Sequence, residues 1–158
     1  MDHRGELESA VFNDVRVLSA ASDRIGRVFA AAHDLSANDF RALLHVMVAE
    51  HAGAPLNAGE LRELMGMSGA GITYLVERMI ESSHLRRESD PADRRKVILK
   101  YAEHGVTVGR QFFTPLEDQT HRALADLPDD DLSAAHRVLN RVLAAMRVFE
   151  DGVESQRG

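Results

Sequence analysis

The chain has 158 residues and an apolar fraction of 44%, enough for one domain, alone or with helical extensions, that buries a proper core. It contains no cysteine, which excludes disulfides, thiolate metal sites and thiol-based redox sensing. The net charge is −6, which at first sight argues against nucleic acid. No apolar run reaches the roughly 18 residues of a membrane span, and the segment Met1–Leu7 lacks a signal-peptide core. The expectation is a cytoplasmic protein with no membrane partner.

Leu7, Val11, Val15, Leu18, Ile25 and Phe29 recur at helical spacing, so residues 6–33 predict one long helix, supported by Ala20, Ala21, Ala30, Ala31 and Ala32. A second helix restarts after Leu35, with Ser36 as N-cap and Asp39 in the capping-box position. Phe40, Leu43, Leu44 and Met47 form its expected buried stripe, and His51–Pro55 breaks it. Asn57 opens a short third helix with Leu61 and Leu64 facing inward, and Gly66 closes it. Ser68 then caps a fourth, whose core face is Ile72, Leu75, Val76, Met79 and Ile80. Two short helices around Met65-Gly-Met67 make a helix-turn-helix.

A hairpin over residues 85–101 follows. Pro91 fixes its own φ and pushes Asp90 toward extended geometry, which suits a tip. Val97, Leu99 and Tyr101 alternate with Lys96, Ile98 and Lys100, the period of a half-buried strand. Arg94, Arg95 and Lys96 stand beside the tip, placed to enter a nucleic-acid groove. The charge distribution supports this against the total: six Lys/Arg face three Asp/Glu within residues 86–100. Such a hairpin beside a helix-turn-helix reads as a winged-helix DNA-binding lobe.

Val106, Val108, Phe112, Phe113 and Leu116 begin another long helix, and Pro128-Asp129 precedes a last one. That last helix has a broad apolar face of Leu132, Leu139, Val142, Leu143, Met146 and Phe149. A small winged helix has little surface to cover the terminal helices, so mutual burial in a two-fold homodimer is expected. The predicted fold is mainly α with a small β-hairpin wing: one domain over 1–158. Residues 36–102 form its winged helix-turn-helix lobe, and 6–33 with 106–150 its dimerisation helices.

These residues resemble the multiple antibiotic resistance regulator (MarR) family. The family's wing motif is matched by Asp93-Arg-Arg95, Val97, Leu99 and Gly105. Its helix start is matched by Leu35, Ser36, Asp39 and Phe40. Its recognition-helix pattern is matched by Ser68, Ile72, Thr73, Leu75, Val76, Glu77, Arg78 and Met79. The chain departs from the family with Tyr74 where Arg is frequent, with Gly69-Ala70-Gly71 where polar residues are common, and with Tyr101-Ala102 where Leu-Thr is usual and supplies a helix cap.

The resemblance implies a homodimeric transcription regulator, a repressor on a pseudo-palindrome with half-sites about 34 Å apart. Arg95 would enter the minor groove, Asp93 would stiffen the hairpin by pairing with a nearby arginine, and Arg94 with Lys96 would meet phosphates. Ser68, Ala70, Gly71, Thr73 and Tyr74 would face the major groove, with the glycines allowing close phosphate approach. Thr73 can contact a thymine methyl or donate to a base, and Tyr74 can donate to a phosphate or a base edge. Arg78 would lie near the DNA backbone or in an intrahelical pair; Arg62 would touch a phosphate or sit in a surface ion pair.

The family also implies a small aromatic or anionic effector, bound in a region that here includes His33, Phe40, His45, Met67, Tyr101 and Phe112. Such a ligand acts by favouring a lobe spacing mismatched to DNA. No histidine pair has helical metal-ligand spacing, and no phosphate loop, nucleophile elbow or paired carboxylates occur, so no cofactor, metal or catalysis is expected. The alternative is a winged-helix interaction or ligand-sensing module without sequence-specific readout, for which the bare Gly69–Gly71 face is the argument.

Overall fold

The computed structural model describes residues 2–155. Six helices and a two-stranded sheet follow one another as α1 (His3–Ala32), α2 (Ala37–His51), α3 (Ala58–Met65), α4 (Gly69–Glu81), β1 (Leu85–Ser89), β2 (Val97–Tyr101), α5 (Glu103–Leu124) and α6 (Asp129–Ser155). The chain divides into two compact units, one ending at Thr114 and the other starting at Pro115.

Helix α1 begins earlier than its apolar spacing suggests, because the Asp2 carboxylate accepts the Gly5 amide and caps it at residue 3. Gly26 and Ala30 are its buried residues. A Cβ on Gly26 would stand 2.7 Å from Phe40 Cε1, so the missing side chain sets how closely α1 meets α2. Phe29 then packs against Phe40 and Phe112 with ring centroids 5.7 and 4.7 Å away.

Helix α2 opens with the expected capping box: Asp39 N–H donates to Ser36 Oγ at 3.1 Å, and Ser36 N–H to Asp39 Oδ2 at 2.9 Å. Its buried face is Phe40, Ala42, Leu43 and Val46, whereas Leu44 and Met47 are only half-buried. Helix α3 has a second capping box, between Asn57 and Glu60. Leu61 and Met65, one turn apart, point into the core; this turns Leu64 to the surface, 49% exposed, contrary to the expectation from sequence. Gly66 ends α3 at φ 63°, a backbone position that glycine adopts without strain.

Helix α4 buries Ile72, Leu75, Val76 and Met79 against this core. It leads through Ser83, at φ 57°, into the antiparallel hairpin, with Leu85 opposite Tyr101 and Ser89 opposite Val97. The alternation expected of β2 is broken: Ile98 and Leu99 are both buried, and Val97 is 50% exposed. Neighbouring strand residues point to opposite faces, so both faces of the hairpin are covered at this level. The Leu99 amide also donates to the Leu56 carbonyl at 2.7 Å, tying the free edge of β2 to the segment before α3.

Helix α5 starts without a side-chain cap, as Ala102 foreshadows. The Ser83 carbonyl takes the His104 and Gly105 amides instead, at 3.0 and 3.3 Å. In the second unit, α6 opens with Asp129, Asp130 and Asp131, three negative charges favourable to a helix N-terminus. Leu139, Leu143, Met146 and Phe149 form an exposed apolar stripe along it.

Candidate nucleic-acid interface

Four buried residues of α4 hold one side of the helix in the core, and the opposite side is free. Ser68, Gly69, Ala70, Thr73, Tyr74, Glu77 and Arg78 are exposed there, with Gly71 half-buried. Ser68 Oγ accepts the Gly71 amide at 3.1 Å and so caps the helix. Thr73 Oγ1 donates to the Gly69 carbonyl at 2.9 Å. Tyr74 is 68% exposed, and the Arg78 guanidinium lies over its ring, 5.5 Å from the centroid.

Arg78 makes no intrahelical ion pair. It donates instead to Asp39 Oδ1 at the start of α2. One carboxylate therefore closes a capping box and anchors the recognition helix, and it is 5% exposed. Arg62 lies 3.9 Å from the carboxylate of its neighbour Glu63, both well exposed.

The wing tip is organised by two aspartates. Asp90 Oδ1 accepts the Ala92 amide at 2.8 Å, and Asp93 Oδ1 accepts the Arg95 amide at 3.1 Å. Backbone bonds from Asp90 to Lys96 and from Lys96 to Asp93 close the turn. Arg95 Nε stands 3.4 Å from Asp93, a loose contact that leaves the Arg95 side chain 93% exposed. Arg94 and Lys96 are also exposed.

Below the tip, Arg87 of β1 grips Glu77 of α4 through two hydrogen bonds, at 2.6 and 3.4 Å. The bond to Arg87 holds the Glu77 carboxyl below its ordinary range, and Glu77 raises Arg87 in return. Lys100 of β2 reaches Glu50 of α2 at 3.3 Å. Sequence reasoning missed Arg87, Glu50 and the second role of Asp39, because each partner lies ten or more residues away and no local spacing announces it.

The six residues expected around an effector are not gathered into one cavity. Phe40 and Phe112 meet with centroids 5.0 Å apart, and His33 stacks on Phe29 at 3.9 Å while facing Gln111 Oε1 at 3.1 Å. His45 and Phe40 line a cavity of about 420 Å³ between α1 and α2, with Arg27 and Arg41. Burial, and secondarily Arg41, lowers the His45 pKa. Tyr101 lines a different cavity of about 510 Å³, with Glu50, Arg86, Arg110 and Phe113. Its hydroxyl donates to the Leu43 carbonyl at 2.6 Å, and burial pushes its pKa up. Met67 packs against the core and borders neither cavity.

A capped helix pair, a recognition helix with a free outer face and a hairpin with cations at its tip make this a winged helix-turn-helix protein. Comparison with known proteins agrees. The sequence model of the MarR family matches residues 33–96, from the end of α1 to the wing tip. An uncharacterized HTH-type transcriptional regulator, YcgE of Bacillus subtilis (strain 168), is 28% identical over 96% of this chain and 94% of its own length. Among solved structures, a MarR family protein from Bacillus stearothermophilus covers 93% of this chain and 99% of its own at a TM-score of 0.65 and 20% identity. The DNA complex of S. aureus MepR matches over 84% of this chain and 93% of its own, with a TM-score of 0.55 and 11% identity. The chain is thus similar to the MarR family over residues 33–96 in sequence, and shares the fold of a solved MarR family structure.

Proposed function

We propose that the protein is a DNA-binding transcription regulator, a ligand-responsive repressor that grips a pseudo-palindromic operator as a homodimer. The observation that carries this reading is the fully presented Arg95, flanked by exposed Arg94 and Lys96 on a wing fastened to the recognition helix. Arg95 would occupy the minor groove, Arg94 and Lys96 the phosphates, and the outer face of α4 the major groove, with Arg62 and Arg78 nearer the backbone. The winged lobe would be residues 36–102, and the helices 6–33 and 106–150 would serve dimerisation.

Support for a dimer comes from apolar surface. Leu7, Phe12, Val17 and Leu18 on α1 are more than half exposed, and α6 separately displays its Leu139–Phe149 stripe. A monomeric soluble protein seldom leaves patches of this kind to water. An effector would occupy a cavity of the first unit, where arginines and aromatic rings suit an aromatic anion.

The test is selection of genomic DNA fragments by the purified protein near physiological ionic strength. A short inverted repeat, bound with an affinity that falls steeply with added salt, is the expected result. Gly69-Ala70-Gly71 offers few base-reading groups and is the specific observation for the second reading, an interaction module. A stable dimer that retains no DNA at any salt concentration would establish that module and remove the regulator.

A further inference from the structure

We propose that the recognition helix reads its site chiefly through the C5-methyl groups of pyrimidines, above all thymine, with Thr73 as the specificity-determining residue. The inference rests on the DNA-binding reading above and names what that surface discriminates.

Hydrogen-bond readout of the major groove needs particular side chains: Arg or Lys for guanine, Asn or Gln for adenine, Asp or Glu for cytosine. The exposed face of α4 contains no Asn, Gln or Lys. Of its charged groups, Glu81 is the last residue of the helix, and the two nearer the N-terminal end are both engaged, Glu77 by Arg87 and Arg78 by Asp39. Neither is free to approach a base edge without giving up its partner.

What remains is small and largely apolar. The Thr73 hydroxyl proton is committed to the Gly69 carbonyl at 2.9 Å, so it cannot donate to the O6, N7 or O4 acceptors of a base. The same bond fixes the rotamer and leaves the γ-methyl as the distinctive group of this exposed residue. Ala70 adds a second methyl one turn back. At Gly69 nothing lies within 4 Å of where a Cβ would be, so the helix start is open there.

Alanine and the threonine methyl are the groups that pack against a thymine methyl. The Ser68 and Tyr74 hydroxyls both donate and accept, so they add contact without choosing between bases. A methyl-reading α4 also agrees with a wing arginine, since guanidinium groups favour the narrow minor groove of A·T-rich DNA.

The test uses four alternating duplex polymers as competitors in fluorescence anisotropy with the full-length protein: poly(dA-dT), poly(dA-dU), poly(dG-dC) and poly(dG-m5dC). Uracil lacks only the methyl of thymine, and 5-methylcytosine adds the same group to cytosine. The expected result is weaker binding to the uracil polymer, by roughly 4-fold for each methyl buried. Thr73→Ser keeps the hydroxyl bond and removes the methyl, so it should bring the thymine-to-uracil ratio toward one while leaving the circular dichroism unchanged.

Stronger competition by the 5-methylcytosine polymer than by its unmethylated form extends recognition to the methyl on either base. Equal competition by those two, with thymine still preferred over uracil, confines recognition to thymine. A thymine-to-uracil ratio of one in the unaltered protein overturns the inference, and a ratio unmoved by Thr73→Ser removes Thr73. Failure to bind any of the four duplexes overturns the regulator reading itself, an outcome distinct from binding without discrimination.

Discussion

Arg87 on the first strand of the wing holds both carboxylate oxygens of Glu77 on the recognition helix, at 2.6 and 3.4 Å. The wing and α4 are thereby fixed relative to one another by side chains that, on the proposed reading, would themselves read no base. Pre-set geometry of this kind lowers the ordering cost that association must overcome.

Glu77→Gln should therefore weaken binding to the selected operator by roughly 3- to 10-fold, the scale of one lost charge-assisted pair. The melting temperature should scarcely move, because half-exposed ion pairs add little stability. The reversed pair Glu77→Arg with Arg87→Glu should recover part of the loss. Anisotropy titrations and a thermal melt check all three expectations.

Arg95→Ala should weaken DNA binding by about 10-fold or more, the range of one groove-inserted arginine. Its side chain is 93% exposed and its contact with Asp93 is loose, so the fold has little to lose. Sedimentation of the variant should match that of the parent, while its operator titration shifts to higher protein concentration. An unshifted titration would take Arg95 out of the interface.

Asp39→Ala should cost about 2 kcal/mol of stability, because it removes the Asp39 half of the capping box and leaves Arg78 without its partner. Asp39→Asn should cost less, since the amide oxygen can still accept the Ser36 amide. Urea midpoints rank the three proteins, with the alanine variant expected lowest.

Acid should loosen the fold through two histidines. Burial lowers the pKa of His84, with His104 adding to the effect and Asp39 opposing it; burial and Arg41 lower that of His45. A group with a depressed folded-state pKa takes up its proton more readily when unfolded, so stability falls as pH drops below about 6.5, the unfolded value. His84 Nε2 is buried without a hydrogen-bond partner, which makes the charged ring costly there. The urea midpoint should decline between pH 7.5 and 5.5, and less steeply in His84→Gln.

Features within one turn of chain were legible before the structure. Ser36 with Asp39 and Asn57 with Glu60 announce helix starts, and Gly66 announces an end, because capping chemistry is satisfied within three residues. The wing was legible for the same reason, through Asp90-Pro91 and the strand after it. The Asp39–Arg78 bond was not, since its partners are 39 residues apart and each has a plausible local role. Leu64 was misplaced because an eight-residue helix has too few turns to define its face, and Ile98 because covering on a strand's second face leaves no mark in its period. The missing cap of α5 was visible at Ala102, but the Ser83 carbonyl that replaces it belongs to a turn made by folding.

That replacement has a bearing on how the wing can vary in length. The Ala102 amide donates to the His84 carbonyl at 3.0 Å, and a Cβ on Gly105 would fall 2.1 Å from the same oxygen. The root of the hairpin and the start of α5 are thus joined backbone to backbone, with no room for one added atom. The tip at Pro91–Arg94 is mostly open to solvent and lies outside the strand ladder. Insertions and deletions should accordingly be accepted at the tip, where they lengthen or shorten the reach of Arg95, and be rejected at residues 102–105. Wings of different length could be grafted onto this lobe at that one place without disturbing the helix that follows.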